Sequence, residues 1–201
     1  MRNWAGNWSR NWCFVDIDPS SLVKVILSTE RLVISEAELS DATFILELLN
    51  SPTWIQFIGD KGIYSMEDAE NYIQKSLTNS YQTNSFGLYK LCFKETMVPI
   101  GLCGFLKRDY LDHPDIGFAL LPDHEGKGLM LEAGKALMEH VRSKLGFDEV
   151  LAIVLPSNNR SCQLLGKLGF QEIGKVMPTG SQEELLLFSN KKSHSNGAAS
   201  S

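Results

Sequence analysis

Apolar positions along the chain fall into short periodic blocks separated by polar turns. "ILSTERLVIS" (Ile26 to Ser35) alternates as a first strand should. Ser40 or Asp41 then caps a helix whose apolar face is Phe44, Ile45, Leu48 and Leu49, ended by "NSP". "SMED" (Ser65 to Asp68) has the form of a capping box, and Ala69, Tyr72, Ile73 and Leu77 follow at helical spacing. "SFGLYKLCF" and "PIGLCGFLKR" flank the polar "KETMV", which predicts a hairpin. "DIGFALL" (Asp115 to Leu121) reads as another strand. A helix carrying Met130, Ala133, Leu137 and Val141 runs on to about Lys144. "EVLAIVL" is nearly all apolar, as a strand covered on both faces should be. "SNNRSCQLLGKLGF" opens with capping residues and closes at Gly169, and two strands follow near "FQEIG" and "ELLLF". The order predicts an α/β fold: a mixed central sheet with helices on both faces, in one domain.

The ends differ from this middle. Asn-Trp recurs at 3–4, 7–8 and 11–12, in a segment whose glycine, serine and three asparagines make a poor helix. Residues 1–26 are expected to form a disordered leader, 27–191 the domain, and 192–201 ("KSHSNGAASS") a disordered tail. The leader lacks the apolar core of a secretory signal.

Composition narrows the partners. A net charge of −5 over 201 residues argues against nucleic acid and anionic membrane as whole-protein partners. No apolar run approaches the roughly 20 residues that span a bilayer. Cys13, Cys92, Cys103 and Cys162 form no Cys-x-x-Cys pair and lie beside no histidine cluster. No metal site is expected, and a reducing, cytoplasmic location is. A contact between Cys92 and Cys103 across the hairpin is conceivable, although two small buried hydrophobes account for them as well. A monomer or a homodimer fits equally.

The chemistry concentrates where "DIGFALL" gives way to the long helix, in "LPDHEGKGLM". The first N–H groups of a helix have no partners inside it, and the helix dipole makes that end an anion site. Gly126 and Gly128 permit backbone angles that other residues resist and keep side chains out of a ligand's way, while Lys127 adds charge. The turn therefore reads as a diphosphate cradle. It is not a P-loop, since the lysine is followed by Gly128. It is not a dinucleotide fingerprint either, since Leu131 stands where a third glycine would be. A tight connection chosen for packing would give the same turn.

"STERL", "DIGFALLPDHEGKG" and "PSNNRSCQLLGKLGFQEIG" together resemble the GNAT family of N-acetyltransferases, over nearly the whole span from Thr29 to Phe188. Within it they resemble the ribosomal-protein-acetyltransferase-like branch. Asp123 stands where the family's cofactor turn carries Gln or Arg. The resemblance implies a GNAT-like fold and acetyl-CoA as co-substrate. It places the pyrophosphate on the backbone of Gly126, Lys127, Gly128, Leu129 and Met130, and counts Leu121 among the cofactor-binding residues. The pantetheine arm would lie between two parting strands, near Asn158 and Ser161, and Arg160 or Lys167 would be available to the outer phosphate.

The family's frequent tyrosine acid is Leu165 here, and Ile153 stands where some relatives have a glutamate base. Ser161 is then the expected acid, with Asp115 and His113 as candidates for relaying a proton through water. Trp54, Phe57 and Tyr64 are expected to wall the acceptor pocket, although core packing would explain them too. The implied reaction is acetyl transfer to a primary amine, on a small molecule or a peptide N-terminus. The alternative is a non-catalytic CoA-binding regulatory module, which the missing tyrosine and glutamate favour.

Overall fold

The computed structural model describes residues 23–180 and 183–191. The tryptophan leader and the C-terminal tail lie outside the described residues. Eight strands form one sheet in the order β1-β2-β3-β4-β5-β6-β8-β7. They are β1 (Val25–Ser28), β2 (Leu32–Ser35), β3 (Leu88–Phe93), β4 (Pro99–Leu106), β5 (Asp115–Leu120), β6 (Leu151–Val154), β7 (Gln171–Val176) and β8 (Leu185–Ser189). Every neighbouring pair is antiparallel except β5 and β6.

The helices are α1 (Ala42–Leu49), α2 (Pro52–Phe57), α3 (Met66–Tyr72), α4 (Asn79–Asn84), α5 (Leu129–His140) and α6 (Asn159–Lys167). A π-helical stretch, Ile73–Thr78, joins α3 to α4, and another, Val141–Leu145, extends α5 to about the expected end. The interior positions of β3 and β4 are buried without alternation, so both faces of the sheet are covered. Phe105, Ile45, Leu48, Leu91, Leu102 and Leu129 are among the fully buried side chains that tie sheet to helices.

Two elements depart from the sequence reading. The single strand expected over Ile26 to Ser35 is a hairpin. Thr29 folds the chain back, its N–H donating to the Leu32 carbonyl at 2.8 Å and its hydroxyl oxygen accepting from the Leu32 N–H at 3.0 Å. Apolar alternation runs through both arms, so periodicity alone cannot see the turn. The segment around Trp54, for which the apolar spacing predicts no helix, contains α2: Ser51 caps it by accepting from the Trp54 N–H, and Pro52 sits in the first turn, where its missing N–H costs nothing.

The expected helix over "SNNRSCQLLGKLGF" is α6, ended by Gly169 at φ +88°. The Phe170 N–H reaches the Leu165 carbonyl and the Gly169 N–H the Gly166 carbonyl, which closes the helix in a Schellman motif. Cys92 and Cys103 sit on β3 and β4 but face Pro99 and Tyr89 rather than one another. Both are buried free thiols, and burial pushes the Cys103 thiol up to about 12.

Candidate active site at the parting of two strands

β5 and β6 run side by side but pair only once, at Asp115 with Leu151. Beyond that point they diverge, while β5 stays fully zipped to β4 as far as Leu120 opposite Gly101. The Leu121 N–H donates to the Ile100 carbonyl on the β4 side. Strand alternation then turns the N–H and C=O of Phe118 and Leu120 toward the gap. The result is a wedge with peptide groups along one wall and no strand to meet them.

At the wide end of that wedge the chain turns through residues 121–128 into α5. Gly126 and Gly128 both lie in the left-handed region, at φ +72° and +74°, and Gly128 is the residue that starts α5. A Cβ at Gly126 would meet nothing within 4 Å, so the requirement there is conformational and the space above the turn is open. The first helical bond of α5 is from the Glu132 N–H to the Gly128 carbonyl. Among the described residues, the N–H groups from Gly126 to Met130 donate to no protein acceptor. The Leu129 and Met130 side chains are buried in the core, so these residues offer only backbone to a ligand, whereas Lys127 is exposed. An anion of diphosphate size fits this row of unfilled donors.

The hairpin holds the turn in place, a role that the motif reading missed. The Arg31 guanidinium meets Glu132 Oε2 through Nε at 2.6 Å and the Lys127 carbonyl through Nη1 at 3.1 Å. Glu132 Oε1 accepts from the Thr29 hydroxyl at 2.6 Å and from the Arg31 N–H at 2.9 Å. Burial alone would raise the pKa of Glu132. The Thr29 and Arg31 hydrogen bonds and the Arg31 charge outweigh it and hold the carboxyl below its ordinary value. One carboxylate thus locks the first turn of α5 to the β1–β2 turn, with a guanidinium placed beside the cradle. The only sequence signal was "STERL" itself, which says nothing of its partner 101 residues away.

On the other bank, Asn158 caps α6 by accepting from the Ser161 N–H at 3.1 Å. Its side-chain NH₂ donates to no acceptor among the described residues. Ser161 is half-buried, and its hydroxyl is unpaired among the described residues. Leu165 is 0% exposed, and Ile153 is a half-buried residue of β6. A pocket of about 420 Å³ opens between α2 and the start of α6, lined by Thr53, Gln56, Phe57, Ser157, Asn158 and Arg160 among others. Its lining residues carry amides, hydroxyls and one aromatic ring, but the surface they present is mostly apolar, with Arg160 the ionisable group among them.

Four expected site residues lie elsewhere. Asp115 is 1% exposed at the closed end of the wedge, and its Oδ1 accepts from Arg108 Nε at 2.9 Å. Burial raises its pKa, opposed by the Arg108 charge, and the carboxylate is committed to that partner rather than to an acceptor. His113 precedes the same end of β5 and faces Glu149 at 3.6 Å, a strand length from the turn. Trp54 is 4% exposed and belongs to the core, because α2 turns it inward between its pocket-facing neighbours Thr53 and Phe57. Tyr64 is 67% exposed and hydrogen-bonded to Asp60, outside the pocket. Among the described residues no three metal-ligating side chains cluster, and no helix is long and apolar enough to cross a membrane.

Comparison with known proteins agrees with this architecture. Residues 31–171 match the model of the acetyltransferase (GNAT) domain. The chain is 32% identical over 151 residues to an uncharacterized N-acetyltransferase, p20, of Bacillus licheniformis, covering 74% of this chain and 83% of that protein. Among solved structures, the ribosomal L7/L12 alpha-N-protein acetyltransferase RimL superposes with a TM-score of 0.72 at 17% identity, over 86% of this chain and 97% of that one. MccE, a microcin C7 self-immunity acetyltransferase solved with acetyl-CoA and AMP, superposes with a TM-score of 0.68 at 16% identity, over 80% and 92%. With a matching domain model across most of its length and a curated N-acetyltransferase at this identity, the chain belongs to the GNAT family of acetyltransferases.

Proposed function

We propose that this protein moves an acetyl group from acetyl-CoA directly onto a primary amine, carried by a small molecule or a peptide N-terminus. The observation that carries the reading is the wedge between β5 and β6, which opens beside the unfilled N–H row from Gly126 to Met130. A diphosphate on that row would leave the attached arm pointing down the wedge. There the amides of a pantetheine arm would meet the free peptide groups of Phe118 and Leu120 as an added strand does. The binding of acetyl-CoA by MccE supports the same use of the fold. The cofactor supplies the reactive thioester.

The chain's own residues then have three tasks. The backbone N–H of Phe118 or Leu120 is placed to donate to charge growing on the acetyl oxygen. The unpaired NH₂ of Asn158 orients the arm from the opposite bank. The Ser161 hydroxyl, at the mouth of α6, donates to the departing thiolate. An alkyl amine has a pKa near ~10 and must lose a proton before it attacks. With Asp115 held by Arg108 and His113 at the far end of β5, that proton passes to solvent through the open pocket. The acceptor enters past Phe57, between α2 and α6.

Release of free thiol from acetyl-CoA, followed with a panel of primary amines and short peptides, tests this reading. Amine-dependent release with an acetylated product by mass is the expected result. Binding of CoA without acetylation of any member would favour the regulatory alternative, to which the apolar Leu165 and Ile153 point.

A further inference from the structure

The two banks of the wedge are tied once more, at its open end. Arg160 Nη1 donates to Glu125 Oε2 at 2.6 Å. Glu125 immediately precedes Gly126 in the turn that leaves β5, and Arg160 lies in the first turn of α6, which leaves β6. The strands are therefore joined at the narrow end by the Asp115–Leu151 pair and at the wide end by an ion pair, with the parted stretch between. We propose that Glu125 and Arg160 form a strap across the mouth of the wedge, which acetyl-CoA must open to enter and CoA must open to leave.

The asymmetry of the pair fits that role. Glu125 keeps only 25% of its side chain exposed and is fixed in the turn, whereas Arg160 is 83% exposed, so the long arginine is the part that swings. An exposed pair of this kind is weak and yields to thermal motion, so it delays passage without blocking it. It also removes a difficulty for anion binding. Glu125 puts a carboxylate beside a row of donors suited to diphosphate, and Arg160 neutralises it there. Because Arg160 also lines the acceptor pocket, opening the strap clears cofactor mouth and pocket wall together.

The proposal rests on the cofactor reading above, and its test separates the two. The probe is CoA itself, its exchange followed by stopped-flow displacement of a fluorescent CoA analogue. The variant Glu125→Gln with Arg160→Gln keeps the net charge and removes the ion pair. Association and dissociation should both quicken by about threefold to fivefold, the range open to an exposed pair, with the dissociation constant nearly unchanged. The charge-swapped variant, Glu125→Arg with Arg160→Glu, should return both rates toward the parent's. Exchange at the parent's rates in the double glutamine variant overturns the strap, as does a swapped variant that behaves like it. Slower association with weaker binding also overturns it, because Arg160 would then be a ligand of the cofactor. A parent protein that binds no CoA at all refutes the cofactor reading instead.

Discussion

Arg31 and Glu132 meet at 2.6 Å across 101 residues of chain, and that contact decides where the mouth of α5 points. The guanidinium spans Glu132 and the Lys127 carbonyl, so it fixes the first helical turn and the loop before it in one grip. A fork of donors in one plane can do this, and a lysine's single ammonium cannot.

Replacing Arg31 by Ala should therefore weaken CoA binding by about tenfold, the equivalent of one charge-assisted hydrogen bond of ~1.5 kcal/mol. Arg31→Lys should recover little of it. Titration calorimetry measures both, and parent-like affinity in Arg31→Ala would remove the clamp from the account.

The same carboxylate gives stability a pH dependence of definite sign. Glu132 is held below its ordinary pKa in the folded protein. Its contribution is complete above the unfolded value of about 4.3 and is lost as pH falls through the lower folded value. Between pH 5 and pH 3, the melting temperature of the parent should fall more steeply than that of Glu132→Gln. Parallel curves would show that the pair adds nothing to stability.

Gly126 and Gly128 are needed for their left-handed backbone. A β-branched side chain there costs about 1–2 kcal/mol of strain, and nothing in the surroundings of Gly126 would clash with its first carbon. Gly126→Val and Gly128→Val should fold, melt a few degrees lower, and lose at least about tenfold in CoA affinity as the donor row is displaced. Intact affinity would mean that the turn is a packing device.

Ser161→Ala removes the hydroxyl and leaves the Asn158 cap intact, because that cap uses the Ser161 N–H. Turnover should fall by at least about tenfold with CoA affinity unchanged, as expected for a lost proton donor. Steady-state rates beside calorimetry read this split, and an unaltered rate would leave the thiolate to solvent.

Much of the frame was legible because it rests on local rules. The strand-to-helix step at "DIGFALLPDHEGKG" showed in periodicity and glycine placement, and α6 showed in its caps at both ends. The β1–β2 turn did not, because the apolar pattern continues through it. α2 was missed because its six residues, Pro52–Phe57, span less than two turns, too short a stretch to show a period.

The candidate site residues divide along the same line. The backbone of Gly126 to Met130 and the Asn158–Ser161 pair are placed by sequence-local geometry, so a motif could point to them. Asp115 and His113 looked available because they precede the strand, but availability depends on Arg108 and Glu149, which are side-chain partners no spacing rule reveals. Trp54 and Tyr64 were read as one wall, whereas the α2 helix sends the first into the core and leaves the second on the surface. The Arg31–Glu132 and Glu125–Arg160 contacts are long-range pairs of ordinary charged residues, and they became visible only in the fold.

Amide hydrogen exchange across residues 126–130, with and without saturating CoA, bears most directly on whether the mouth of α5 holds a diphosphate. The N–H groups there should exchange quickly in the free protein and slow by about tenfold or more when CoA is bound. Unchanged exchange at those five residues, with CoA protecting some other part of the chain, would contradict it.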